Sequence, residues 1–186
     1  FARVRVVYED PEQVGYEGVP LTFDASDSEA GSDTDPLATY VWDFGDGSDP
    51  VETPVPTIQH AFPDQGLYNV TLFVVDSDGS RVSTDVAVTI RNVGPRNARI
   101  VGANQVEIGE EARLSVEYDD VEGDAVPNRT IWSVDGEVVS EDLVLTYAFP
   151  AIDTYEVSVE VFDDGDESTT ATFEIEVTAA APRIQD

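Results

Sequence analysis

The two halves of this 186-residue chain repeat each other at a nearly fixed offset. Trp42 is matched by Trp132, 90 residues later, and the matches that follow lie 87 residues apart. A repeat of this length indicates two copies of one small domain, and the drift of the offset fits slightly shorter loops in the second copy. The later matches are Ala61-Phe62 with Ala148-Phe149, Tyr68 with Tyr155, and Asp76 with Asp163.

Two short proline-containing segments mark the ends of the copies. Val-Thr-Ile-Arg-Asn-Val-Gly-Pro at 88–95 is echoed by Val-Thr-Ala-Ala-Ala-Pro at 177–182. We therefore predict one domain at residues 1–93, a second at 94–181, and the start of a linker to a further repeat at 182–186. Short linkers that contain proline favour a semi-rigid string of domains, so we expect the chain to be part of a longer array.

Short segments that alternate apolar and polar residues recur along both copies, for example at Leu21–Asp24, Tyr68–Val75 and Tyr155–Phe162. Period-two alternation with many Val, Thr, Ile, Phe and Tyr residues predicts half-buried β-strands. No longer stretch has a helical pattern of apolar residues. The sequence therefore predicts an all-β fold of two tandem antiparallel β-sandwiches.

The chain is strongly acidic, with 9 basic and 39 acidic residues and a formal net charge of −30. This field repels nucleic acids and anionic membrane surfaces and attracts cations. Two explanations stay open, namely carboxylate clusters that bind a hard cation such as Ca²⁺, and a solvated acidic shell suited to high salt. Every basic residue is Arg, and the absence of Lys fits either a halophilic source or a high-GC genome.

Composition also excludes several classes of site. The chain has no Cys, so it forms neither a disulfide framework nor a thiolate metal site. It has no apolar run near the ~20 residues of a membrane span, and its first residues lack a signal-peptide pattern. Because it begins with Phe1 rather than Met, we expect a processed segment whose secretion signal or anchor lies elsewhere.

Three motifs in the first copy occur in order. The string Tyr-Val-Trp-Asp-Phe-Gly-Asp-Gly at 40–47 is followed by His-Ala-Phe at 60–62 and by Gly-Leu-Tyr-Asn-Val-Thr-Leu-Phe-Val-Val-Asp-Ser-Asp-Gly at 66–79. With these motifs, residues 21–90 resemble a PKD (polycystic kidney disease) domain. The resemblance implies an immunoglobulin-like (Ig-like) β-sandwich and a module of extracellular or cell-surface proteins.

The second copy resembles the same family more weakly. Trp132-Ser-Val-Asp-Gly replaces the longer string, and Tyr147 stands where the first copy has His60. Its membership is inferred from the offset and from the retained residues Trp132, Phe149, Tyr155 and Asp163.

The repeated aromatic and glycine residues have structural explanations. Trp42 and Trp132 are expected to cross the middle of each sandwich and to fill the space between its sheets. Asp46-Gly47 and Asp135-Gly136 predict hairpin turns, because Gly tolerates a positive φ. The resemblance implies that His60, the single His of the chain, packs and hydrogen-bonds within the fold.

An enzyme is not expected in this chain. Ser26, Ser28 and His60 could be imagined with a nearby Asp as a hydrolytic triad, but no nucleophile elbow accompanies them. The second copy has no His at all. A domain of about 90 residues can bury one modest core and leaves no room for a deep active-site cavity.

An acidic loop after Leu21–Asp24 is the main candidate site of the first copy. Some PKD-like domains, notably those of bacterial collagenases, bind Ca²⁺ through an Asn or Asp after this strand, an Asp-x-Asp pair in the loop and an Asp at the end of a later strand. The resemblance thus implies a structural Ca²⁺ site, and Ca²⁺ accepts irregular sets of oxygen ligands. The implied ligands are Asp24, Asp33, Asp35 and Asp76.

A comparable acidic segment occurs in the second copy. Binding of Ca²⁺ there would tie a loop to the sheet and stiffen the angle between domains. The alternative in both copies is a set of solvated charges, since about a fifth of all residues are acidic and clusters then arise by chance. The candidate ligands of the second copy are Glu117, Asp119, Asp120, Glu122, Asp124 and Asp163.

Two short sequons are candidate glycosylation sites in a source that has this pathway. Asn128-Arg-Thr lies in a predicted loop and is the better acceptor, whereas Asn69-Val-Thr lies at the start of a predicted strand.

Repetition and short linkers favour an extracellular spacer or surface-layer module, whose partners are neighbouring repeats or other copies in a surface assembly. The alternative is a binding module, either an adhesin or the accessory domain of a secreted protease or polysaccharide hydrolase. Exposed aromatic residues distinguish the two, because a coplanar exposed row favours glycan or fibre binding and buried rings favour the spacer. The aromatic residues not assigned to a core are Tyr8, Tyr16, Tyr40 and Tyr118.

Overall fold

The computed structural model describes residues 1–31, 36–121 and 129–180, and all regular structure in these ranges is β-strand. The chain divides into two compact units, Phe1–Asn92 and Val93–Asp186. The division lies one residue before the boundary expected from the linker repeat. None of the described segments is a helix that could span a membrane.

The first unit is a sandwich of a three-stranded and a five-stranded sheet. The smaller sheet has the order β1-β3-β6 and the larger the order β2-β8-β7-β4-β5. All neighbours are antiparallel except β2 and β8, which are parallel. The strands are β1 Arg5–Val7, β2 Gly15–Tyr16, β3 Leu21–Asp24, β4 Leu37–Asp43, β5 Val51–Thr53, β6 Thr57–His60, β7 Gly66–Asp76 and β8 Arg81–Arg91.

The second unit repeats this topology strand for strand. Its sheets have the orders β14-β11-β9 and β10-β16-β15-β12-β13, and β10 pairs with β16 in parallel. The prediction of two tandem Ig-like β-sandwiches is therefore confirmed. The strands are β9 Arg96–Val101, β10 Gln105–Glu107, β11 Glu111–Asp119, β12 Arg129–Val134, β13 Glu137–Ser140, β14 Val144–Ala148, β15 Thr154–Phe162 and β16 Ser168–Thr178.

Each unit has its own apolar core between its two sheets. Along β7, alternate residues Val70, Leu72 and Val74 are buried, as the period of a strand with one inward face requires. Trp42 and Trp132 have no exposed surface and lie in the two cores, as predicted.

Tyr68 and Tyr155, which match each other in the two copies, each hydrogen-bond to the turn that leads into β7 or β15. The Tyr68 hydroxyl donates to the Asp64 carbonyl at 2.8 Å, and the Tyr155 hydroxyl donates to the Ala151 carbonyl at 3.2 Å. Each hydroxyl thus bonds to a carbonyl four residues upstream, which is the tyrosine corner of Ig-like sandwiches. The repeated Tyr is therefore a structural residue in both units.

The two Asp-Gly pairs both lie in hairpin connections, as predicted. Asp135 and Gly136 have φ values of 49° and 83°, and they form the two-residue turn between β12 and β13. Two consecutive positive φ values match the right-handed twist of the strands that the turn joins. Asp46-Gly47 lies in the longer connection 44–50 between β4 and β5, so that Asp46 is free to reach another part of the fold.

The connection between the first two strands distinguishes the units. Residues 8–14 join β1 to β2, whereas only residues 102–104 join β9 to β10. After the longer connection the backbone comes close to the core at Gly15, where a Cβ atom would lie 2.6 Å from Ile90 Cδ1 and 2.8 Å from Leu21 Cδ1. Only glycine fits this approach without displacing the core.

Candidate functional site

Asp24, the first implied Ca²⁺ ligand, is bonded within the first unit. Its Oδ2 accepts a hydrogen bond from Arg5 Nη2 at 2.5 Å, and its Oδ1 accepts one from the Ser26 amide at 2.9 Å. These bonds, those from Ser26 first and that from Arg5 next, lower the pKa of Asp24 to about 2. The Arg5 guanidinium neutralises this carboxylate and occupies part of its Oδ2, which weakens its attraction for a cation.

Asp76 and Asp163 have the same role in the two units. Asp76 Oδ1 accepts a hydrogen bond from the Ser80 amide at 2.7 Å, and Asp163 Oδ1 accepts one from the Glu167 amide at 2.8 Å. Each carboxylate thereby closes the turn between the last two strands of its unit. The repeated Asp therefore has a structural function whether or not a cation binds nearby.

The other predicted site residues are dispersed. Glu117 is exposed and forms an ion pair with Arg99, and Asn69 is exposed on β7. Within the three described ranges, no group of three or more acidic or histidine side chains is arranged to hold a metal ion. Outside the described residues lie Asp33, Asp35, Glu122, Asp124 and Asn128.

Asp120 is a predicted ligand whose carboxylate has one buried oxygen without a hydrogen-bond donor among the described residues. Its Oδ1 accepts a hydrogen bond from the Val121 amide at 2.9 Å, while its buried Oδ2 receives none from the described part of the chain. Burial raises the pKa of Asp120, and the charges of Asp163 and Asp164 raise it further. Two predicted ligands of the second unit, Asp120 and Asp163, therefore lie close enough to repel each other.

A contact between His60 and Asp46 in the first unit was not predicted from the sequence. His60 Nε2 lies 2.6 Å from Asp46 Oδ2, and the Asp46 side chain is only 3% exposed. Burial opposes the charge of Asp46, but hydrogen bonds from Ser48 and His60 outweigh it and lower the pKa of the carboxyl below its usual value. The motif showed an Asp-Gly turn, and nothing in its spacing indicated which residue the Asp would meet.

His60 packs against aromatic rings of the core, as the resemblance implied. Its ring stacks on Phe44 with centroids 3.7 Å apart, and it meets Phe62 edge-on at 4.8 Å and 86°. In the second unit, Tyr147 meets Phe149 at 5.0 Å and 80°, so Tyr occupies the place of His with nearly the same geometry. Because His60 and Tyr147 pack in nearly the same way, the role that this position has in both units is packing.

Ser26 and Ser28 both hydrogen-bond near the start of the first unit. The Ser28 hydroxyl donates to the Arg3 carbonyl at 3.0 Å, and the Ser26 amide donates to Asp24. The Ser28 hydroxyl and the His60 ring therefore each bond to another group and not to each other.

The four unassigned tyrosines form no exposed row. Tyr40 belongs to the buried core of the first unit, and Tyr8 packs against that core, where burial raises its pKa. Tyr118 packs against the core of the second unit, and the half-buried Tyr16 donates its hydroxyl to Asp10 Oδ2 at 3.0 Å.

Comparison with models of protein families identifies the family of the first sandwich. The family model of the PKD domain matches residues 6–90, which lie within the first unit. The first unit belongs to the PKD domain family. This result confirms the resemblance drawn from the three motifs, and it extends the PKD domain back to β1.

Known relatives of this chain include a microbial collagenase of Vibrio alginolyticus, which is 36% identical over 83 residues. The match covers 43% of this chain and 9% of the collagenase, so the chain spans a small part of that relative's length. Solved structures with similar folds include the fibronectin(III)-like modules of Clostridium thermocellum CbhA, at 21% identity, 98% coverage of both chains and a TM-score of 0.43. The Bacteroides ovatus protein SGBP-B is 16% identical, with a TM-score of 0.33 over 95% of this chain and 48% of that one.

Proposed function

We propose that the two sandwiches are an extracellular structural module, which spaces or assembles the domains of a cell-surface, surface-layer or secreted protein. The residues that the two copies share support this proposal, because each acts inside the fold. Trp42 and Trp132 fill the cores, Tyr68 and Tyr155 fasten the corners, and Asp76 and Asp163 close the final turns.

The observation that carries the proposal is the burial of the tyrosine side chains that could have formed a binding platform. Tyr8, Tyr40 and Tyr118 lie in or against the cores. Among the described residues, the one aromatic side chain with large exposure is Phe1, at 51%. A surface that binds glycans or fibres by stacking needs several exposed rings in one plane.

A second candidate is an accessory substrate-binding domain of a secreted protease or polysaccharide hydrolase. The similarity of the chain to part of a microbial collagenase favours this alternative. The two functions differ in whether the chain itself binds a substrate.

Co-sedimentation with cellulose, chitin, xylan and collagen fibrils tests the choice. We expect the chain to stay in the supernatant with each material at micromolar protein concentrations, because the described surface has no stacking platform. Saturable binding to any of them would instead establish the accessory substrate-binding function.

We also propose that Ca²⁺ stabilises the second unit through Asp120 and Asp163, with Glu122 and Asp124 as further ligands. The fit rests on Asp120, whose buried Oδ2 has no hydrogen-bond donor in the described chain. The charges of Asp163 and Asp164 raise its pKa, and the charge of Arg96 offsets part of this effect. A divalent cation would neutralise this repulsion and supply the missing partner. In the first unit, Arg5 already fills this role for Asp24.

Asp120→Asn should raise the melting temperature of the cation-free second unit and abolish its response to Ca²⁺. A carboxyl whose pKa is raised by folding binds its proton more tightly in the folded state, so its ionisation destabilises that state above the folded pKa. For the same reason, the cation-free wild type should become more stable as the pH falls from 7 through the folded pKa of Asp120.

Thermal unfolding with EGTA or with 1 mM Ca²⁺ measures both effects, and calorimetric titration measures the binding. Asp166→Asn is the control, because Asp166 is exposed in the turn that Asp163 closes and Asn accepts its φ of 63°. A wild type that Ca²⁺ does not stabilise, or an Asp120→Asn variant that still responds, would contradict the proposal.

A further inference from the structure

A surface groove of about 600 Å³ lies on the first unit, beside the connection from β1 to β2. Its floor is a row of outward-facing residues across the three-stranded sheet. Val7 pairs with Thr22 and Thr22 with Gln59, and the Gln59 amide donates to the Thr22 hydroxyl at 3.3 Å. The groove is therefore built on strands of regular register.

The walls of the groove combine apolar surface with carboxylates. The apolar part includes Val7 and Val19, which are 45% and 47% exposed and thus belong to the larger apolar side chains that this unit leaves in solvent. Glu9 and Asp10 supply the charge, and Asp10 is held by the Tyr16 hydroxyl. None of the described residues that line the groove is a cation.

The second unit shows that the Ig-like fold does not require this groove. The register that aligns β3 with β11 places Arg113 at the position of Thr22, and Thr146 at the position of Gln59. The connection 102–104 is also too short to form the acidic wall made by residues 8–14. The second unit thus has the same fold with Arg113 at the position of the groove floor and without the acidic wall.

We infer that this groove binds an extended peptide segment in which an Arg or Lys is flanked by apolar residues. The exposed Val7 and Val19 offer contact area for the apolar side chains, and Glu9 and Asp10 offer the complementary charge. Gln59 and Thr22 can hydrogen-bond the peptide backbone. Such a site would let the spacer hold a basic segment of a neighbouring protein or domain.

Backbone NMR of the ¹⁵N-labelled chain at low salt tests the inference with the peptide acetyl-Gly-Leu-Arg-Leu-Gly-amide. We expect saturable chemical-shift changes at the amides of Val7, Tyr16, Thr22 and Gln59, with a dissociation constant of roughly 0.1–1 mM. Binding should weaken as salt is added, because the charges are near the surface. The same peptide with Gln in place of Arg should bind more weakly.

Two variants and a matched control locate the site. Val19→Ser should weaken binding about fivefold, since it removes apolar contact area. Glu9→Gln should weaken binding about threefold, since it removes an exposed negative charge. Val82→Ser serves as the control, because Val82 is also 47% exposed but lies on β8 outside the groove.

Four results would overturn the inference. They are shift changes spread over the acidic surface of both units, equal binding of the Arg and Gln peptides, no saturable change at several millimolar peptide, and occupation of the groove by soluble oligosaccharides in place of the peptide.

Discussion

Replacing Trp42 with alanine should unfold the first unit while the second unit stays folded. Trp42 is completely buried and packs near Phe23, with ring centroids 6.1 Å apart. Truncation of a buried Trp costs about 3–5 kcal/mol, which approaches the total stability of many small domains. The two cores share no residue, so the loss is confined to one of them.

The two tryptophans provide the measurement, because each unit contains one of them. In the Trp42→Ala variant, the fluorescence of Trp132 reports the second unit alone, and circular dichroism reports the strand content of both. Trp132→Ala is the matched variant and should give the mirror image, with the first unit folded. Joint unfolding of both units in either variant would show that the units do not fold independently.

The features that sequence could predict are those whose physical cause is local or periodic. The alternation in Tyr68–Val75 is visible because one face of a strand must be apolar. The Asp135-Gly136 turn is visible because two consecutive positive φ values need such residues. Because the second copy repeats the first, the sandwich fold implied by the PKD motifs of the first copy could also be predicted for the second.

The candidate site was harder to predict, because its contacts join distant parts of the chain. Asp24 meets Arg5 and Asp46 meets His60 only after the strand registers are set. In a chain with 39 acidic residues, no spacing distinguishes a paired carboxylate from a solvated one. The groove was missed for a related reason, since residues 8–14 reveal the length of a connection but not the wall that it forms.

Some of the acidic residues have a structural role that composition did not suggest. Several Asp side chains accept a hydrogen bond from the backbone amide two residues later, which is the geometry of an Asx turn. These carboxylates shape the loops of the sandwiches, in addition to any cation they bind. The acceptor and donor pairs are Asp10 with Glu12, Asp24 with Ser26, Asp43 with Gly45, Asp46 with Ser48, and Asp78 with Ser80.

Asp46→Asn should destabilise the first unit by about 2 kcal/mol at pH 7, since it removes the charge of a buried carboxylate that accepts a hydrogen bond from Ser48 and contacts His60. Folding lowers the pKa of Asp46, so the carboxylate stabilises the unit above the ordinary pKa near 4, and this contribution is lost as the pH falls through the folded value. The difference between wild type and variant should therefore shrink below about pH 4. Urea unfolding at pH 7 and pH 3, followed through Trp42 in a Trp132→Phe background, measures it.

Two further variants show whether the effect belongs to the contact between Asp46 and His60. Asp49→Asn removes an exposed charge from the same connection and should change stability by less than about 0.5 kcal/mol. His60→Tyr introduces the residue that the second unit has at this position, and alone it leaves Asp46 buried without its partner. Combined with Asp46→Asn it should cost clearly less than the sum of the single changes, because both remove one interaction. Strictly additive costs would mean that Asp46 and His60 stabilise the sandwich separately, through Ser48 and Phe44 respectively.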